Sequence, residues 1–443
     1  MRKFGMKTIN LKGIMRKTIA FFTLYLLAGS LFAQSPKYDA RAEIKADIGL
    51  AGSNYLAYRD PTVALTPAPK GYEAFYLSHY GRHGSRWLCN DSQFAEPIAL
   101  LERADAQGKL TDKGRDMLRR MKLFYTTAVR RAGELTWVGE AQHHRIGRRM
   151  AEHFPSIFKA QDCQINARST VVIRCILSME AECEELAAAN PKSRIHNDVS
   201  ESFQYYLNAD WPQFVSDSVG ENWKKLSFDQ KKEYYHPDRF WSSIFTDPAY
   251  RDEKTGSRTH FMRQVLDFCN NMQSHYADTT NRCNLYGFFT EDEIYDNWRS
   301  RNLEWYLNYA YGKAPWSQSE LLKNFLSTAD TITQSRTYHG ATLRFGHEVC
   351  VMPLACLLEL GDCYPQISPV KWCDLGSYWT NYRIYPMGSN IQLIFYRSRK
   401  DASAPVLVKA LLNEREVSLP IKTDLYPYYN WNELRRYYQN KLK

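Results

Sequence analysis

Residues 73–80 are rich in aromatic and aliphatic side chains and end at Gly81, and Arg82-His83-Gly84-Ser85-Arg86 follows at once. A segment this rich in apolar side chains, closed by glycine, predicts a buried strand that opens into a tight loop at the mouth of a sheet. Further strand candidates recur near 163–167, 341–346, 390–396 and 405–411, and helical patterns cover 91–106, 111–132 and 139–154. In the second of these helices Leu118, Met121, Leu123 and Phe124 supply the apolar stripe. Alternation of this kind predicts an α/β fold with a mostly parallel central sheet flanked by helices. Ligands of such sheets bind outside the carboxyl ends of the strands, where His83 and, from the later run, His347 would sit.

The loop chemistry is specific. Arginine offers a planar fork of donors matched to phosphate oxygens, so two of them beside a histidine point to a phosphoryl-binding pocket. The plain alternative is a positively charged surface loop. Arg-His-Gly-x-Arg should arise by chance in a chain of this length about once in a thousand sequences at ordinary residue frequencies.

Two later segments stand in a matching order. Arg168-Ser169-Thr170 is followed, four residues on, by Arg174, with a helical pattern behind it that Pro191 ends. Ser169 or Thr170 is the expected N-cap, which would put Arg174 in the second turn. Taken alone, Arg174 reads as a surface helix residue, and Arg168 as structural or peripheral. The third segment, Arg344-Phe345-Gly346-His347-Glu348, leads into an apolar helix running to Leu360. Together the three segments resemble the histidine phosphatase superfamily, in the branch of acid phosphatases, phytases and multiple inositol-polyphosphate phosphatases. The flanking Phe345-Gly346-His347 and the later Met352-Pro353-Leu354 are most similar to the inositol-polyphosphate group. Leu135-Thr136-x-x-Gly139-x-x-Gln142 resembles a structural element of the family. Pro386-Met387-Gly388-Ser389-Asn390 and the stretch from Val406 to Leu419 extend the likeness toward the C-terminus. It covers about 70–205 and 335–420.

The resemblance implies an enzyme whose His83 attacks phosphorus to give a covalent phosphohistidine, dividing one displacement into two. Arg82, Arg86, Arg174 and His347 would bind the phosphate oxygens and stabilise charge developing in flight. The family carries its acid as His-Asp or His-Ala-Glu, and here the glutamate follows the histidine directly, while the position aligned with the inositol-polyphosphate group's glutamate holds Val349. Glu348, the only carboxylate in the loop, is therefore the expected proton donor. No cofactor and no metal are expected, because fixed cations take that role.

The first 33 residues carry six cations, then an apolar stretch from Ile19 to Phe32, with Ala33 as the expected cleavage site of a signal peptide. Met15 is an alternative start. Without those six cations the net charge falls from +10 to +4, which gives no reason to expect a nucleic-acid partner. The stretch is short for a membrane span, so a secreted or periplasmic chain, not membrane-bound once the leader is removed and monomeric, is expected. Its partner would be a small phosphorylated molecule. The ten cysteines all follow the leader. Cys269–Cys283 and Cys363–Cys373 are candidate local disulfides, whereas Cys175, Cys350 and Cys356 read as small buried hydrophobes.

Between about 206 and 335 the texture changes to dense aromatics among mixed charges. We read 206–335 as an inserted, mainly α-helical cap on a phosphatase core formed by 34–205 and 336–443. Its Lys224-Lys225 and Lys231-Lys232 pairs could face a polyanion, although lysine pairs more often solvate a helix face. The expected substrates are inositol polyphosphates such as phytate. The alternatives are a general acid or sugar-phosphate phosphatase, a phosphoglycerate-type mutase, which export disfavours, and a secreted phospho-ligand-binding protein with weak turnover.

Overall fold

The structure, a computed structural model, describes residues 35–226, 233–251 and 256–443. The signal-peptide expectation for 1–33 and the Lys231-Lys232 pair lie outside the described residues.

Eight strands form one sheet: β1 Tyr72–Arg82, β2 Gln164–Ser169, β3 Arg194–Val199, β4 Gly340–Gly346, β5 Asn390–Ser398, β6 Leu407–Leu412, β7 Arg415–Val417 and β8 Tyr429–Asn430. Their order is β3-β2-β4-β1-β5-β6-β7, with β8 beside β6. The pairings among β3, β2, β4 and β1 are parallel, and those from β1 onward are antiparallel. This is the expected α/β architecture, a mostly parallel sheet flanked by helices, extended on one side by antiparallel strands. β1 is central because it can be buried on both faces, and every residue from Ala74 to Arg82 is buried. Its register against β4 sets Gly81 beside Phe345 and Arg82 beside Gly346, so the two histidine-bearing loops leave the sheet at the same level.

One face of the sheet packs Leu77, Ile165, Leu343 and Ile394 against Ile146 and Met150 of the helix Trp137–His153 and Met179 and Leu186 of the helix Ile173–Ala189. The other packs Tyr76 and Phe395 against Phe325, Val351, Leu354 and Leu434. No strand lies between residues 206 and 335 among the described residues. The helices Ser92–Ala106 and Asp112–Ala128, however, share an apolar cluster with the 206–335 stretch, in which Phe94, Met117 and Phe124 join Phe240, Phe261 and Phe268. This core crosses the boundary expected at residue 205.

β3 and the C-terminal helix Trp431–Lys441 went unanticipated. β3 is an edge strand whose exposed, mixed residues carry little apolar period. All ten cysteines are free thiols, so the Cys269–Cys283 and Cys363–Cys373 pairs are not bonded here. Cys269, Cys283 and Cys363 instead fill apolar clusters, as a small hydrophobe would.

Candidate active site

Two glycine contacts bring the loops together. A Cβ on Gly84 would lie 2.3 Å from the carbonyl oxygen of Gly139, so the loop after β1 touches the helix Trp137–His153 backbone to backbone. A Cβ on Gly346 would meet the Tyr80 hydroxyl at 2.0 Å. That hydroxyl donates to the carbonyl of Leu207 at 2.7 Å and accepts from the amide of His347 at 3.3 Å, tying β4's loop to the short helix that ends at Leu207.

The loop after β1 is gripped from several sides. The amide of Gly84 donates to Ser178 Oγ at 3.1 Å, and Ser178 in turn donates to the carbonyl of Arg174 at 2.8 Å. The amide of Ser85 donates to Gln142 Oε1 at 2.9 Å, and Gln142 Nε2 donates to Ser85 Oγ at 3.0 Å. Behind these contacts His143 and Glu182, both fully buried, meet at 2.7 Å and join the two helices. Gln142 and Ser178 were not anticipated as functional. Gln142 stood in the Leu-Thr-x-x-Gly-x-x-Gln run, so a signal existed, but nothing in the sequence said what it would grip.

His83 is wholly buried, and its Nδ1 lies 2.9 Å from the carbonyl of Gly84. A carbonyl only accepts, so Nδ1 carries the proton and the Nε2 lone pair is free. Nε2 has no hydrogen-bond partner among the described residues, and 3.6 Å away is Glu348 Oε2. Burial, joined by the charges of Arg82 and Arg174, pushes the imidazole well below its ordinary range, although Glu348 opposes this. A neutral imidazole with an unpartnered Nε2 results.

Around it stand the cations. Arg82 is held by two carbonyls, Tyr385 at 2.8 Å and Asn54 at 2.7 Å, and its Nε lies 3.0 Å from Glu348 Oε2 without hydrogen-bond alignment. Arg86 reaches to 3.9 Å from Glu348 Oε1 and lies over the Tyr55 ring at 5.5 Å. Arg174 donates to the carbonyl of Gly133 at 3.3 Å, and its Nε is buried without a partner among the described residues. His347 faces His83 with ring centroids 5.6 Å apart, and burial, with the three arginines, pushes it down to about 4 against the pull of Glu348. Thr170 Oγ1 lies 3.4 Å from His347 Nε2. Glu348 is pushed up by burial, but Arg82, His83 and Arg86 together outweigh that and hold its carboxyl well below the usual range. Burial and, second to it, the Glu348 charge push the Tyr309 hydroxyl up to about 12.

All six expected site residues therefore converge. One local expectation fails. The Arg174 helix starts at Ile173 with Val172 as its N-cap and no side-chain cap, so Arg174 sits in the first turn. Ser169 donates to the carbonyl of Thr170, and Thr170 turns toward His347 instead of capping. His83, His347 and Glu348 offer ligand atoms within 4.8 Å of one another, a spacing a metal could use. Three neighbouring guanidinium groups make that corner repel a dication and suit a dianion. Buried, unpartnered nitrogens on Arg82, His83, Arg86 and Arg174 are what an oxyanion would satisfy.

Residues 81–413 match the model of the histidine phosphatase superfamily, branch 2. No curated protein matches the chain significantly in sequence. Among solved structures, the fold is similar to the multiple inositol polyphosphate phosphatase of Bifidobacterium longum bound to inositol hexasulfate, at 18% identity and TM-score 0.71, covering 87% of this chain and 96% of that one. It is also similar to the phytase of D. castellii, at 13% identity and TM-score 0.65 over 89% and 85% of the two chains. For the Hafnia alvei phytase with tartrate the figures are 12%, 0.53, 85% and 98%. No helix among the described residues is long and apolar enough to cross a membrane.

Proposed function

The chain belongs to branch 2 of the histidine phosphatase superfamily and is a phosphatase, and from that premise we propose that it hydrolyses inositol polyphosphates through a phosphohistidine on His83. One observation carries the reading: the free Nε2 of a neutral His83 faces a corner lined by Arg82, Arg86, Arg174 and His347. Nε2 attacks phosphorus, the bond to the ester oxygen breaks, and Glu348 gives that oxygen a proton. Water then attacks the phosphohistidine, its proton passes to Glu348, and phosphate leaves.

Glu348 must hold a proton when substrate is bound, yet the neighbouring arginines keep it ionised in the structure. The incoming dianion resolves this, because it competes for the same guanidinium groups and adds like charge beside the carboxylate. Both effects raise the carboxyl's proton affinity. Substrate thus loads its own acid.

Preference for an inositol polyphosphate rests on the likeness to phosphatases and phytases of that class, and on Tyr309 bringing the inserted cap to the pocket. Export rests on the N-terminal basic and apolar stretch. The test uses purified mature protein. Release from an activated aryl phosphate between pH 4 and 7 is expected, and His83→Ala should lose it by about four orders of magnitude or more. Glu348→Gln should accumulate an acid-labile phosphoprotein. Turnover surviving in His83→Ala would overturn the nucleophile. Faster cleavage of sugar phosphates than of inositol hexakisphosphate would overturn the substrate class alone.

A further inference from the structure

The family match begins at residue 81, but part of the pocket wall comes from far upstream. In the helical stretch Ile48–Tyr55, Ser53 breaks the conformation with φ 53° and ψ −120°. That region favours glycine, and Ser53 is completely buried, so the surrounding structure imposes the turn. Strained backbone of this kind persists where something depends on its direction. Here the next carbonyl, that of Asn54, is aimed at Arg82 and accepts its Nη2 at 2.7 Å. The following side chain, Tyr55, supplies the ring beneath Arg86.

The Ser53 hydroxyl explains why a serine stands there. It accepts from Asn381 Nδ2 at 2.9 Å and lies 3.4 Å from the Tyr385 hydroxyl. Tyr385 is the residue whose carbonyl takes the other end of the Arg82 guanidinium, at 2.8 Å. Asn381 is fixed in turn by the indole of Trp298 at 3.0 Å and by Asn302, which accepts its backbone amide at 2.8 Å. Two chain segments more than three hundred residues apart thus supply the two acceptors that orient one arginine, and the Ser53 side chain is the joint between them.

We propose that Ser53 is a positioning residue for phosphate binding, acting through Arg82 by locking the Asn54 and Tyr385 carbonyls in one relative placement. With either carbonyl displaced, the guanidinium loses a fixed acceptor and must be ordered during catalysis instead of before it. The inference rests on the phosphatase reading above. Turnover by the wild type tests that reading, whereas Ser53 is judged only on ratios to the wild type.

A double-mutant cycle tests it, with inorganic phosphate affinity and kcat/KM for an aryl phosphate as readouts. Ser53→Ala should weaken both by about tenfold in the wild-type background, and by less than about twofold where Arg82→Lys has already removed the guanidinium fork. Tyr385→Phe removes the other hydroxyl of the joint and should show the same background dependence with a smaller loss. It carries the test if Ser53→Ala does not fold. Losses that multiply unchanged in the Arg82→Lys background would make Ser53 merely structural and overturn the proposal. Unaltered phosphate affinity in a folded Ser53→Ala protein would do the same.

Discussion

β1 and β4 lie side by side, and each delivers a histidine at its carboxyl end, but the loops beyond them are held in different ways. The loop after β1 is clamped through its own backbone: Gly84 to Ser178, Ser85 to Gln142, and the carbonyl of Ser85 to the Thr136 amide at 2.9 Å. The loop after β4 is also tied through its backbone, by the Gly346 carbonyl, which accepts from the His83 amide at 3.0 Å and from Cys175 Sγ at 3.3 Å, and by the His347 amide, which donates to Tyr80, but the side chains of His347 and Glu348 are held by looser contacts. Thr170 is 3.4 Å from His347, and Glu348 rests on charge attraction without aligned hydrogen bonds. The difference suits the two tasks. In the proposed mechanism His83, as nucleophile, must stay in line with phosphorus, whereas Glu348, as acid, must give way to the incoming phosphate and then follow the leaving oxygen.

The largest test of this contrast is Glu348→Gln. Turnover should fall by about a thousandfold, because the acid and base are lost together. Inorganic phosphate should bind about tenfold tighter, since a competing negative charge leaves the arginines. Titration calorimetry reads the second effect, and weaker or unchanged phosphate binding would mean that the carboxylate does not share the phosphate's seat. Gly84→Ala probes the clamped side. The added methyl meets the Gly139 carbonyl, so the loop must shift, and kcat/KM should drop by about a hundredfold with phosphate binding weakened. Full activity in a Gly84→Ala protein would show that this loop, too, has slack, and the contrast would disappear.

The smallest effect is on stability. His79, buried in β1 with no hydrogen-bond partner for either ring nitrogen among the described residues, is pushed down to about 3 by burial, then by the charges of His143 and Arg344. His347 is pushed down to about 4. Between pH 6.5 and about 4 the unfolded chain binds protons at these positions and the folded chain does not, so stability falls as pH falls. Each imidazole adds about 1.4 kcal/mol per pH unit to that slope. Urea unfolding of His79→Leu at pH 4, 5 and 6 should show a slope shallower by about that amount. An identical slope would mean that His79 titrates normally in the folded protein.

Much of the site was legible because its chemistry is written in short, contiguous motifs. Arg82, His83 and Arg86 share one loop, His347 and Glu348 another, and the apolar run before each announced the strand that presents it. Arg174 was placed one turn too deep, because capping residues are local signals and Thr170 was recruited by His347 from another loop. Gln142 and Ser178 act on backbone groups, which leave no trace in residue type at the far end of the contact.

What this chain determined from its residues alone was the alternation that builds the sheet and the side chains set at its carboxyl end. Both follow from hydrogen-bonding periods and steric rules that operate over a few residues. Only the tertiary structure decided that the helices Ser92–Ala106 and Asp112–Ala128 share a core with the 206–335 stretch, and that Ser53, Asn54 and Tyr55 wall the pocket from upstream of the family match. Those outcomes depend on which distant surfaces bury one another. Apolar burial has no direction, so shape and connectivity settle the partners rather than local sequence.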